Sequence, residues 1–345
     1  MAINNRSVSM IDVANKSGVS HQTVSRVLNN HKNVSDKTRK RVLAAMEELN
    51  YSPNIAARTL VTGKSASIGV LSYDTTLYGP ASMLHAVQLA AREKGYSVNL
   101  VSLKATETDV MTDADAVSLG IQDLCAKGIE GIIMIVPRTK DSTDIKKIPG
   151  GLPGVLIDGG TSKFIPSVNI DQVLGVEMAM NYLLDLGHKK IAHISGPQGW
   201  YASDQRIVGW KNALEKRNQK AKVLEPGDWS PKSGYLATMR ILDNKLGVTA
   251  ILCANDAMAL GAIKALTERG LSIPRDMSVV GFDDVPEASY FHPALTTVVQ
   301  SFDDIGHSSL ELLVSQIEGG KAAVKGRTIK PTLLVRESSG PVPRK

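Results

Sequence analysis

Two sets of side chains in this sequence have the types and spacing to do chemistry. The first lies in SHQTVSRVLNN, residues 20–30. At about 100° per residue, Val24, Val27 and Leu28 fall on one side of a helix while Gln22, Arg26 and Asn29 gather opposite Val24. Gln can make a two-point hydrogen bond with adenine and Arg with guanine in a major groove, while Ser20, Thr23 and Asn29 can hold phosphates. His21 falls in the first turn, where a reading helix meets base edges. The same polar face would also serve as the solvent side of an unrelated three-helix bundle.

The second set follows short apolar runs: Asp158 after PGVLI, Asn255 after TAILCA and Asp283 after MSVVGF. In open α/β sheets, ligands sit beyond the carboxyl ends of the strands. Asp, Asn and Arg groups converging there can accept from and donate to the vicinal hydroxyls of a sugar, whereas a phosphate ligand calls for Gly-rich loops and excess Lys and Arg. Acidic residues at strand ends also cap the helix that follows, and Asp158, Asp283, Asn255 and Asp256 stand open to that reading.

The elements that must position these groups divide the chain in two. Ser9 can cap a helix to about Ser17 that Gly18 stops, Ser20 a helix over 21–28, and Ser35 a helix over 36–49 with Val42, Met46 and Leu49 on one side. Residues 54–62 follow Pro53 as a helix-prone stretch too short to be stable alone. From Ser67 onward β-rich runs alternate with helical segments such as 81–94, 173–186 and 256–269, the pattern of doubly wound parallel sheets. An interruption near 158–172 favours two similar lobes with a cleft between them. The pattern predicts a bundle of three short helices, a conditional linker helix and an α/β body of two similar doubly wound lobes.

Charge follows the same division. The formal excess of +6 lies entirely in residues 1–64, with ten Lys and Arg against four Asp and Glu, and the remaining residues balance. A basic end on a neutral body is the layout of a nucleic-acid anchor attached to something else. The only cysteines, Cys125 and Cys253, are far apart in apolar or helical surroundings, so neither a disulfide framework nor a metal knuckle is expected, and no cofactor. MAINNRSVSM has no apolar signal core and no run reaches the roughly 18 residues of a membrane span, which points to a cytoplasmic protein without membrane attachment.

The stretch IDVANKSGVSHQTVSRVLNNHKNVSDKTRKRVLAAMEELNYSPNIAARTL resembles the headpiece and hinge of the lactose/galactose repressor (LacI/GalR) family, through GVS, TVSRVLN, VS, TR and LNYSPN in order. GDWS, ANDAMALGAIKAL, SVVGFDD and PALTTVVQ extend the likeness over nearly the whole chain, nearest in appearance to its lactose-repressor members. The resemblance implies an all-α helix-turn-helix headpiece (1–53), a hinge (54–65) and a periplasmic-binding-protein-like α/β core of two doubly wound lobes (66–340), the N-lobe taking about 66–168 and 302–329 and the C-lobe about 169–299 and 330–340. It also implies a homodimeric transcriptional repressor that sets two reading helices on pseudo-palindromic double-stranded operator DNA. Ser25 and Asn54 join the DNA-contacting set, and Leu60 matches a wedge that unstacks a base step in the minor groove. It further implies that Asp158, Arg206, Asn255 and Asp283 contact a sugar effector, that Trp229 and Phe302 are aromatic cleft residues, and that Leu77 and Tyr78 close from the N-lobe. Sugar binding would release the DNA. Two departures, Ile135 at a position the family makes polar and His21 in place of tyrosine, leave the ligand and the operator open. The polar end SSGPVPRK has no leucine-rich heptads, so a dimer and not a tetramer is expected.

Competing classes fit less well. Asp283/Asp284 and Asp303/Asp304 are neighbours in sequence, unlike glycosidase carboxylates that must span roughly 5 to 9 Å. Gly63-Lys64-Ser65 lacks the earlier Gly and the strand of a phosphate-binding loop. No HExxH or GxSxG occurs, so no catalytic or metal residues are expected. An exported sugar-binding protein would have no use for the headpiece. A family regulator answering to a β-glucoside, a nucleoside, a purine or a phosphorylated protein is the alternative.

Overall fold

The computed structural model describes residues 8–28, 31–51, 64–103, 113–137, 145, 148–162, 164–220, 223–319 and 326–343. Its compact units are 1–65 and 66–345.

In the first unit, α1 (Met10–Ser17), α2 (His21–Leu28) and α3 (Asp36–Glu48) close on one small core of Val13, Ala14, Val24, Val27, Val42 and Ala45. Local chemistry sets the ends. Ser9 and Asp12 form a reciprocal capping box at the start of α1, and Gly18 ends it at φ 63°, a left-handed conformation that costs glycine little. Ser35 accepts from the Thr38 amide at the start of α3. Arg39 donates to the Val27 and His31 carbonyls and so ties α3 to the exit of α2.

The second unit holds two six-stranded sheets. The N-lobe sheet contains β1 (Ser67–Tyr73), β2 (Ser97–Leu103), β3 (Ile132–Ile135), β4 (Gly154–Ile157), β5 (Ser167–Ile170) and β11 (Arg327–Ile329), in the order β2-β1-β3-β4-β5-β11 and parallel throughout. The C-lobe sheet contains β6 (Ile191–Ser195), β7 (Leu224–Pro226), β8 (Ala250–Cys253), β9 (Ser278–Asp283), β10 (Thr296–Val299) and β12 (Thr332–Leu334), ordered β7-β6-β8-β9-β10-β12. Only its last pairing, β10 with β12, is antiparallel. The central strands read as unbroken apolar runs because helices cover both faces. In the N-lobe, α4 (Tyr78–Glu93) and α10 (Phe302–Ile317) pack on one face and α5 (Asp113–Ala126) on the other. In the C-lobe, α6 (Gln172–Asp185) and α7 (Tyr201–Lys216) cover one face, and α8 (Pro231–Asp243) and α9 (Asp256–Glu268) the other.

The segment read from sequence as an interruption contains a buried strand, β5. Four residues with polar Ser167 and Asn169 give it little β-signal. Its end at Ile170 carries the N-lobe sheet past the expected boundary at 168. The chain crosses between lobes three times: after β5, after β10 and after β11.

Candidate functional site

Each sheet has the strand order 2-1-3-4-5 of doubly wound folds, and the carboxyl ends of the two sheets face a shared cavity of about 390 Å³. From the N-lobe come Leu77, Tyr78, Pro80 and Met83 after β1, Ile135 at the end of β3 with Pro137 beyond it, and Asp158 after β4. From the C-lobe come Trp200 and Arg206 after β6, Trp229 after β7, Asn255 after β8, and Asp283 at the end of β9, with Gln300 at the second crossing. The lining is of two kinds. Leu77, Pro80, Met83, Ile135, Pro137 and Trp200 present carbon, whereas Asp158, Arg206, Asn255, Asp283 and Gln300 present donors and acceptors.

Backbone constraints hold these groups in place. Asp158 at φ 53°, Trp229 at φ 72° and Asp283 at φ 116° lie in the left-handed region that side chains other than glycine avoid, so the surrounding fold must enforce them. Behind Asp158, the Asn169 amide closes a pair of 3.1 Å hydrogen bonds with the Gly160 backbone. Asn255 caps α9 by accepting from the Met258 amide at 2.8 Å and donates to the Trp229 carbonyl at 3.0 Å. It therefore serves as a cap and as cavity wall together. Gly196 leaves room for Trp229, whose ring would lie 2.2 Å from a Cβ there.

Arg206 is the electrostatic centre. Its guanidinium stacks 3.7 Å from the Phe282 ring centroid and 5.7 Å from that of Trp229. It donates from Nε to Gln172 at 2.8 Å and from a terminal nitrogen to the Ala254 carbonyl, and stands 3.7 Å from Asp283. Gln172 donates to Asp158 at 3.4 Å and to Gln300 at 3.2 Å, and Gln300 donates to Asp283 at 2.6 Å. Burial pushes both Asp158 and Asp283 up to about 6, against the opposing pull of Arg206. Behind them Asp256 accepts from Thr297 at 2.6 Å and from the Val285 amide at 2.9 Å, and burial followed by the Asp283 charge pushes it up to about 8.

The structure brings Leu77, Tyr78, Asp158, Arg206, Trp229, Asn255 and Asp283 to one cavity. Phe302 is a correction. It does not line the space but packs edge-on against Tyr78, ring centroids 5.8 Å apart, because it opens α10 and turns into the N-lobe core. Sequence reasoning does not single out Met83, Trp200, Gln172 or Gln300. The last follows the TTVV strand directly, the same signal that marks Asp158, Asn255 and Asp283.

In the first unit, His21, Gln22 and Arg26 are exposed on α2, Thr23 and Ser25 are half-buried, and Val24 and Val27 are buried opposite. Ser20 is exposed and accepts from the Thr23 amide at 3.2 Å, capping the helix. Asn29, Asn54 and Leu60, and with them the hinge helix, lie outside the described residues. Among those described, no group of His, Cys, Asp and Glu could hold a metal, and no helix is long and apolar enough to cross a membrane.

Residues 9–54 match the family model of bacterial regulatory proteins, lacI family, and residues 180–339 that of the periplasmic binding protein-like domain. The lactose operon repressor of Escherichia coli (strain K12) is 36% identical over 334 residues, covering 96% of this chain and 90% of that protein. The HTH-type transcriptional repressor PurR of Mannheimia succiniciproducens is 35% identical over 331 residues, covering 95% and 97%. A crystal structure of the lac repressor dimer bound to operator and the anti-inducer ONPF superposes with a TM-score of 0.86 at 33% identity, covering 97% of this chain and all of that one.

Proposed function

The chain belongs to the LacI family of bacterial regulatory proteins, a DNA-binding transcriptional repressor and not an enzyme, and from that premise we propose that a neutral sugar of the β-galactoside kind, held in the cleft, releases it from its operator. The observation that carries this reading is a cavity lining that combines carboxylates, amides and one guanidinium with aromatic and aliphatic carbon. A pyranose has that same duality, with hydroxyls around its edge and a C–H face that stacks on an aromatic ring. Asp158, Arg206, Asn255 and Asp283 take the hydroxyls, Trp229 takes the less polar face, and Leu77 and Tyr78 close the N-lobe side. Phe302 acts at one remove, by backing Tyr78. Two buried carboxylates against one arginine disfavour an anion.

On the DNA side, Gln22 and Arg26 read base edges and Ser20, His21, Thr23 and Ser25 set the helix on its site, with Asn29, Asn54 and Leu60 completing the contact. The working form is a homodimer on a pseudo-palindromic operator in the cytoplasm. A flat nucleoside or purine is the second reading, favoured by the edge-to-face Trp200 and Trp229 pair at 5.9 Å.

A thermal-shift screen of mono- and disaccharides beside nucleosides separates the two. A ligand selective for the folded state at about 100 times its Kd stabilises by about 2.7 kcal/mol. Stabilisation by β-galactosides alone supports the sugar reading; stabilisation by nucleosides alone overturns it.

A further inference from the structure

Two of the three crossings between lobes carry a buried glutamine, Gln172 after β5 and Gln300 after β10. The backbone turns alike at both: Asp171 lies at φ −74°, ψ 82° and Ser301 at φ −81°, ψ 85°. The Phe302 amide closes the second turn on the Gln300 carbonyl at 3.1 Å. Gln172 is 2% exposed and lies behind the cavity, whereas Gln300 lines it.

The chemistry of the partners leaves each amide one orientation. Arg206 can only donate, so it must face the Gln172 oxygen. That turns the Gln172 nitrogen, with its two protons, to the Asp158 carboxylate and the Gln300 oxygen. The Gln300 nitrogen is then left for Asp283. The result is a directed chain joining an N-lobe carboxylate, two crossing residues, the C-lobe arginine and a C-lobe carboxylate. Its members are all buried, and in such surroundings a chain of this kind is worth more intact than half made.

We propose that Gln172 and Gln300 are positioning residues that convert occupancy of the cleft into a change at the lobe crossings. The inference rests on the cleft being the effector site. A ligand hydroxyl that donates to Asp158 or Asp283 competes for the oxygens the two amides use, and each amide is fixed to a segment by which the chain passes from one lobe to the other. Gln172 does not line the cavity, so its loss removes the link between an occupied cleft and the crossings even when the cleft is saturated.

The test is amide hydrogen exchange on the full chain, first without ligand. In Gln172→Leu, and separately in Gln300→Leu, amides at 171–172 and 301–302 should exchange about tenfold faster, the equivalent of about one net hydrogen bond, with β3 and β8 unchanged. The double variant should add little to either single one, since the chain acts as a unit. Gln172→Glu should regain protection on lowering the pH from about 8 to about 5, where a protonated carboxyl again supplies an acceptor and a donor; a purely space-filling role gives no such profile. In a second arm methyl β-galactoside is the probe. At a probe concentration that saturates each protein, Gln172→Leu should lose the change in exchange at the crossings that wild type shows. Unchanged exchange at the crossings in the ligand-free variants, or a Gln172→Leu protein whose crossings still respond to bound probe, overturns the proposal. If the probe does not bind wild type, the galactoside reading fails alone, and the ligand-free arm still decides the relay.

Discussion

Burial decides how the cleft carboxylates titrate. Asp283 is held at about 6 in the folded protein against an ordinary 3.8, so the native state keeps its proton to higher pH than the unfolded chain does. Stability from such a group is complete below 3.8 and is lost as the pH rises through about 6. Wild type should therefore lose melting temperature relative to Asp283→Asn across that window, measured by calorimetry at constant ionic strength. Curves that stay parallel from pH 3.8 to 7 would contradict the assignment. Arg26 belongs to the same scale: exposed on α2 with its neighbours Val24 and Val27 buried, it has no packing duty to confuse its removal. Arg26→Ala should narrow the gap between operator and random-sequence affinity by about 1 to 3 kcal/mol, read by fluorescence anisotropy. Equal losses on both DNAs would make it a phosphate contact.

At the scale of elements, the cleft depends on how closely α8 and α9 approach. A Cβ at Gly234 would stand 2.1 Å from the Met258 carbonyl oxygen, and one at Gly261 1.9 Å from that of Pro231, so the two helices touch backbone to backbone. Trp229 and Ser230 lead into α8 and Asn255 into α9, which makes this approach the frame of those three lining residues. Gly261→Ala should cost about 1 to 3 kcal/mol in denaturant unfolding and weaken ligand binding with it. A variant of wild-type stability would show that the helices separate freely. Elements whose ends are fixed by local chemistry were legible in the sequence: Ser9, Gly18 and Ser35 bound their helices through bonds to residues three or four positions away. The strand-end rule likewise found Asp158, Asn255 and Asp283. Illegible parts depend on topology. β5 is short and partly polar, so Gln172 gave no sign of following a strand, and Trp200 enters the cleft only because β6 stands beside β8. Phe302 shows the converse, a residue three places past a strand that the next helix carries away from the cavity.

At the scale of the whole molecule, two sheets of the same strand order meet at their carboxyl ends, and the chain passes between them three times. That arrangement puts every polar cleft group on one lobe or on a crossing, so a ligand contacting both lobes favours one lobe arrangement over others by its differential affinity alone. The most direct measurement is the affinity of the full-length protein for an operator selected from randomised palindromes, titrated with methyl β-galactoside at fixed salt. Coupling of about 1 to 3 kcal/mol, a five- to 150-fold rise in operator Kd at saturating sugar, is the predicted result. Saturable binding of the sugar with operator Kd unchanged would contradict it.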